Sequence, residues 1–227
     1  MEKISPKLLS EDIPKLIDYA SLDPYSSDEF IIKELEKANY YSFRALCTYP
    51  TNLPLLKKHL SKSNETNLIS VIAFPFGAIP SNQKKAQAEW AVENGAKELD
   101  VVPNFKALMN GKLDEFSEEL AMICSIGIPV RVILNMAHVT KQNLYMAIEA
   151  SLDAGVSGLQ SGNGFGPSIT SDQIKLLSNF ARGRCSIKAV GGIHRLDQLN
   201  ELLEAGAHIL GTSNGPAIIE ALKKLQK

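Results

Sequence analysis

Lys188 and Asp100 are the residues of this chain whose type and setting best suit them to chemistry. Lys188 lies in Ile187-Lys188-Ala189-Val190 and Asp100 in Glu98-Leu99-Asp100-Val101-Val102, so each charge interrupts an apolar, strand-like run. A lysine in such a run is costly unless it is paired or used. The two could move a proton, or form and support a Schiff base. They could equally be a buried ion pair that holds the fold, and a register shift of one residue would send Lys188 to the surface. Periodicity does not choose between the two faces.

Two glycine turns point to a second kind of chemistry. Gly191-Gly192 follows the Lys188 run, and Gly211-Thr212-Ser213-Asn214-Gly215 joins another strand-like run to a helix start. Glycine lets backbone N–H groups approach an anion, a helix N-terminus favours negative charge, and Ser213 can add a hydroxyl donor. Phosphate binding is the functional reading, and ordinary tight turns are the bland one. Asp18, in Leu16-Ile17-Asp18-Tyr19, is a third acid on a strand-like run and could support a site or cap a loop. His138 and His194 fall on loops or helix starts, where surface or capping roles are expected. His59 and His208 lack partners at metal-ligand spacing, so neither a metal nor a cofactor is expected.

The elements that must position these residues follow from a recurring unit. An amphipathic helix ends in glycine and a short apolar run follows, at Asn94-Gly95-Ala96, Ala154-Gly155-Val156 and Ala205-Gly206-Ala207. The pattern predicts eight strands at Leu16–Tyr19, Phe43–Cys47, Leu68–Phe74, Glu98–Val102, Val130–Asn135, Val156–Ser161, Ser186–Val190 and His208–Gly211. Helices are predicted at Ser27–Asn39, Pro50–Leu60, Ser81–Asn94, Lys112–Ile126, Thr140–Ala154, Ser171–Ala181, Leu196–Ala205 and Gly215–Leu225. In the first of these, Phe30, Ile31, Leu35 and Ala38 form the expected apolar face, and the segment around Trp90 reads as ordinary helix packing. Eight such units imply a single-domain α/β protein, a (β/α)8 TIM barrel over residues 1–227, with residues 1–12 as an N-terminal extension. A doubly wound open sheet is the alternative, disfavoured because the first βα turn lacks a GxGxxG. Active sites of barrels lie at the C-terminal strand ends, which here carry Asp18, Cys47, Asp100, Asn135, Gln160, Lys188 and the Ser213-Asn214 pair.

Composition narrows the classes further. The chain has 227 residues, is 44% hydrophobic and carries a net charge of −1, enough for one sizeable core. With no basic stripe, nucleic acid is not an expected partner. Apolar runs are far too short to span a membrane, and Met1–Asp12 lacks a signal-peptide core. Cys47, Cys124 and Cys185 are widely spaced and read as free, mostly buried thiols of a reducing cytoplasm. The helices carry apolar surface enough for a homodimer.

Phe74-Pro75-Phe76-Gly77-Ala78, Asp100 within Glu98–Val102, the turn containing Gly164, Ile187–Ile193 and Gly211–Gly215 resemble, in order and spacing, the deoxyribose-phosphate aldolase family, from about Leu16 to Ala221. The resemblance implies a barrel that cleaves 2-deoxyribose 5-phosphate to acetaldehyde and glyceraldehyde 3-phosphate through a lysine imine, with no metal. By the same resemblance Asp100 is the proton-relay aspartate, Lys188 the second lysine that tunes the nucleophile, Cys47 a cysteine near the site and Asp18 an acid of the first strand. Gly164, Gly191, Gly192, Ser213 and Asn214 correspond to phosphate-binding turns. The imine-forming lysine itself falls at Gln160. The family's Lys-Thr-Ser-Thr-Gly is Gln160-Ser161-Gly162-Asn163-Gly164 here, its Asp-His-Thr is Asp18-Tyr19-Ala20, and its Glu-Thr is Asn135-Met136, while Arg131 keeps a basic position.

A glutamine amide forms no imine, and loss of a covalent nucleophile costs on the order of 10³ to 10⁶ in rate. Three readings follow. The chain binds a small phosphorylated sugar or aldehyde, or a protein partner, with the family activity lost or strongly impaired. Alternatively it is an active lyase using Lys188. Or it is an enolising enzyme with Asp100 as base and Gln160 and Asn163 as polarising donors. The first is the leading expectation.

Overall fold

A computed structural model of the protein describes residues 12–60 and 66–225. The N-terminal extension, except Asp12, lies outside the described residues. Eight parallel strands close into a barrel in chain order, and the last pairs with the first. They are β1 (Ile17–Ser21), β2 (Ala45–Thr48), β3 (Asn67–Ile72), β4 (Glu98–Val101), β5 (Val130–Ile133), β6 (Gly158–Gln160), β7 (Ser186–Val190) and β8 (Ile209–Thr212). The α-helices are α1 (Asp28–Tyr40), α2 (Leu53–His59), α3 (Ser81–Glu93), α4 (Phe105–Met109), α5 (Leu113–Cys124), α6 (Lys141–Asp153), α7 (Ser171–Ala181), α8 (Leu196–Glu204) and α9 (Gly215–Leu225). The single-barrel expectation holds, and no helix among the described residues is long and apolar enough to cross a membrane.

Local chemistry accounts for the joints. Ser27 caps α1 by accepting from the Phe30 N–H, and Thr170 with Gln173 forms a capping box on α7. The three helix-ending glycines expected from sequence, Gly95, Gly155 and Gly206, all take left-handed φ values. Between strands and helices lies the main core, with Leu46, Leu99, Leu159 and Leu210 each fully buried. Inside the barrel the apolar filling is smaller: Ala45, Cys47, Ile69 and Val71 form a separate cluster. Much of the remaining interior is taken by charge.

Several expectations need correcting. Leu16 closes a 3-10 turn (Ile13–Leu16) rather than opening β1, and β6 is shorter than Val156–Ser161. β3 stops at Ile72 because Ala73 turns to a positive φ. Phe30 is 43% exposed, not part of the buried face. The buried stripe of α1 is Ile31, Glu34, Leu35 and Ala38, and Phe30 stands about 100° round the helix from Ile31. Trp90 is 40% exposed for the same reason, since α3 buries Lys84, Ala88 and Ala91.

Candidate active site

At the C-terminal ends of the strands a cavity of about 770 Å³ opens to solvent. Its volume lies in the range of small-molecule sites. Asp18, Cys47, Asp100, Gln160 and Lys188 line it, together with Gly164, Gly191, Gly192 and Ser213. Nine of the ten residues proposed from sequence thus meet in one space. The exception is Asn214, whose side-chain amide donates to the His194 carbonyl at 3.0 Å and ties the β8 turn to the β7 turn. Asn135, a strand-end candidate, is not in this cavity either. It takes a left-handed φ beyond β5 and borders a small separate crevice.

Lys188 faces the barrel interior and is buried. Its Nζ donates to Asp100 Oδ2 at 2.6 Å and lies 2.8 Å from Asp18 Oδ2, the second contact being a charge pair without hydrogen-bond alignment. Arg131 donates to the other Asp100 oxygen at 2.6 Å and to Glu98 at 2.8 Å. Arg44 donates to Asp18 at 2.6 Å and holds Glu98 with both terminal nitrogens, at 2.6 and 2.9 Å. Three carboxylates (Asp18, Glu98, Asp100) and three cations (Arg44, Arg131, Lys188) therefore form one chain of ion pairs with no net charge.

This balance fixes the protonation states. Burial disfavours the Lys188 ammonium, but Asp100 and Asp18 more than offset it, and its pKa lies above the ordinary lysine value. Burial likewise pushes the Asp18 carboxyl up, yet Lys188, Arg131 and Arg44 bring it down to about 2. The Cys47 thiol, 3.7 Å from Asp100, is driven well above the thiol range, first by burial. A protonated lysine and a neutral thiol are not nucleophiles.

Gln160 is paired in register with Lys188 across β6 and β7. Its Nε2 donates to the Gly162 carbonyl at 2.7 Å, and its Oε1 is buried with no hydrogen-bond partner among the described residues. Only the NH2 end can donate to a carbonyl, so this bond fixes the amide's orientation. Asn163 is already engaged: it donates to the Pro75 carbonyl, on the loop after β3, at 3.2 Å and accepts from the Phe165 N–H at 3.0 Å.

Above this floor, the turns after β6, β7 and β8 are laced together. Ser161 exchanges hydrogen bonds with the backbone of Val190, Ile169 N–H reaches the Gly191 carbonyl at 3.0 Å, and Thr212 donates to the Ile193 carbonyl at 2.7 Å. Gly192 has φ +64°, and a Cβ there would stand 2.7 Å from Ser168 Cβ, so only glycine fits. Ser213 is exposed at the mouth ahead of α9. Phe74 and Phe165 pack at 5.6 Å on the rim. Lys37 also borders the cavity, but its Nζ is 2.6 Å from Glu34, which in turn accepts from the Tyr19 hydroxyl.

Arg44 and Glu98 were not among the sequence candidates. Glu98 was detectable, because it stands two residues before Asp100 and so shares its strand face. Arg44, just before β2, is a charge within the predicted run Phe43–Cys47, but no sequence signal pointed to its partners. Among the described residues no cluster of His, Cys, Asp and Glu is arranged to hold a metal.

No family model matches the chain. Whole-chain relatives do. The deoxyribose-phosphate aldolase of Thermococcus gammatolerans is 34% identical over 225 residues, covering 96% of this chain and 100% of that protein. That of Microcystis aeruginosa is 37% identical over 213 residues, covering 93% and 94%. Among solved structures, QR15, an aldolase, superimposes with a TM-score of 0.90 at 31% identity, covering 95% of this chain and 97% of that one. The tetrameric deoxyribose phosphate aldolase from Aeropyrum pernix gives 0.87 at 27% identity, covering 96% and 93%. A barrel of this closure, with its charged floor and glycine turns, and relatives matched along almost their full length make this chain a member of the deoxyribose-phosphate aldolase family.

Proposed function

We propose that the cavity binds a small phosphorylated sugar or aldehyde and that the family's Schiff-base aldolase activity is lost or strongly impaired. One observation carries this reading: the residue at the end of β6 is Gln160, and among the described residues neither lysine bordering the cavity offers a free amine. Lys188 is held as an ammonium by two carboxylates, and Lys37 is paired with Glu34. The retained glycine turns and Ser213 support phosphate binding, since their backbone geometry suits an approaching anion.

The two catalytic alternatives draw less support. An imine on Lys188 would require loss of a proton that Asp100 and Asp18 stabilise. Enolisation would require Asp100 to act as base while Lys188 and Arg131 occupy its two oxygens. The polarising donors of that reading are also not in place, since Gln160 presents an acceptor and Asn163 is engaged elsewhere.

The decisive experiment is incubation with 2-deoxyribose 5-phosphate and borohydride, followed by intact mass and peptide mapping. No adduct is expected, and one mapped to Lys188 would defeat the proposal. Binding is measured separately, by thermal shift with phosphosugars against inorganic phosphate. Absence of any shift would remove the phosphate-site claim.

A further inference from the structure

Gln160 has a feature that loss of a nucleophile does not explain. Its side chain is almost wholly buried at the cavity floor, and among the described residues nothing donates to its Oε1. A buried acceptor left unpaired carries a desolvation cost, which a bound donor would relieve. The amide cannot simply turn over, because Nε2 is held by the Gly162 carbonyl.

Paired with it in register, Lys188 directs one of its three N–H groups to Asp100 and a second toward Asp18, which leaves the third for a ligand. Both residues line the cavity, so neighbouring strands bring an acceptor and a donor to its floor. A carbonyl oxygen only accepts, and would leave Gln160 Oε1 facing a second acceptor. A hydroxyl does both: it can donate to Gln160 Oε1 and accept from Lys188.

We infer that this pocket selects a phosphorylated sugar bearing a hydroxyl, not a free carbonyl, at the carbon that an imine-forming lysine would have attacked, and that Gln160 is the residue that makes the selection. The ligand class is a closed-ring sugar phosphate or a phosphorylated polyol. This inference rests on the phosphosugar reading above and adds to it the form of the ligand.

The test compares two probes by calorimetry. One is 2-deoxyribitol 5-phosphate, a polyol that cannot form an imine. The other is its 1-deoxy analogue, in which hydrogen replaces the hydroxyl in question. The hydroxyl probe should bind about tenfold tighter to the unmodified protein, the effect of one buried hydrogen bond to an otherwise unpaired group. In Gln160→Met, which keeps the side-chain length without the acceptor, the two affinities should converge. Equal affinities in the unmodified protein would overturn the inference while leaving the phosphosugar reading intact, and would mean that water serves Oε1. Discrimination that survives Gln160→Met would overturn the role of Gln160. If neither probe binds and inorganic phosphate does not bind either, the phosphosugar reading falls and the inference with it.

Discussion

Substituting Lys188→Met separates a structural lysine from a functional one. The side chain is 2% exposed and is shared by Asp100 and Asp18, both fully buried. Removing it turns a neutral set of three carboxylates and three cations into one with three carboxylates and two cations. Breaking a buried pair from one side typically costs about 3–5 kcal/mol, because the partner is left buried without compensation. For a chain of this length, that corresponds to a fall in Tm of roughly 6–20 °C.

The acid limb should move as well. Lys188 is the largest of the effects holding the Asp18 carboxyl down to about 2, against burial that pushes it up. Without the lysine, Asp18 should take up a proton at higher pH, and much of the loss of Tm should be concentrated where it is still ionised. Pairing the change with Asp18→Asn restores equal numbers of each charge, two and two, and should recover a substantial part of the stability. Differential scanning calorimetry across pH reads all three. A Tm that stays constant or rises in Lys188→Met would refute the reasoning. It would mean that the lysine is held in place against stability, as residues kept for chemistry often are.

Other consequences are more direct. Because Asp18 has an ordinary value of 3.8 and is held near 2 in the folded chain, its ionisation contributes about 2 kcal/mol at neutral pH. That contribution is complete above 3.8 and disappears as pH falls toward 2, so acid titrations of stability should steepen in that window, and a flat profile there would count against the network. Gly192→Ala should cost about 1–3 kcal/mol from its positive φ and its contact with Ser168, and should abolish phosphosugar binding in calorimetry. Cys47 should resist alkylation by iodoacetamide in the native protein and react on unfolding, since its thiol is buried and raised. Rapid native labelling, mapped by mass spectrometry, would contradict the assigned environment.

The barrel was legible because its signals repeat. Each helix-ending glycine and each apolar run reports locally, and Ser186–Val190, Ser171–Ala181 and Gly215–Leu225 were placed to the residue. The face taken by Lys188 was not legible, because alternation has no origin until neighbouring strands are in register: Lys188 with Gln160, and Asp100 with Arg131. The role of Arg44 was hidden for a related reason, since it joins Asp18 and Glu98 across 26 and 54 residues of chain. Phe30 misled because an apolar residue beside a buried stripe looks like part of it. Asn214 stands apart from the other candidates because its side-chain amide ties the β8 turn to the β7 turn.

The charge balance also decides what a lysine at position 160 would be. With Gln160 in place the described barrel interior is already neutral, with Asp18, Glu98 and Asp100 matched by Arg44, Arg131 and Lys188. Gln160→Lys would therefore introduce a cation with no carboxylate left to neutralise it, next to Lys188 in register. Burial and the adjacent ammonium would both lower its pKa, which is the condition an imine-forming lysine needs. Protonation is then not what would stop such a variant from reacting with an aldehyde. If it still forms no imine, the cause lies in shape: the Gly162 carbonyl that now holds the amide, and the Asn163 loop tied to Pro75, would have to give way for substrate. Comparing Gln160→Lys alone with Gln160→Lys in a chain whose Gly162-Asn163 is changed to Ser-Thr distinguishes the two. A gain in borohydride trapping only in the second would assign the loss of chemistry to the loop as well as to the missing amine.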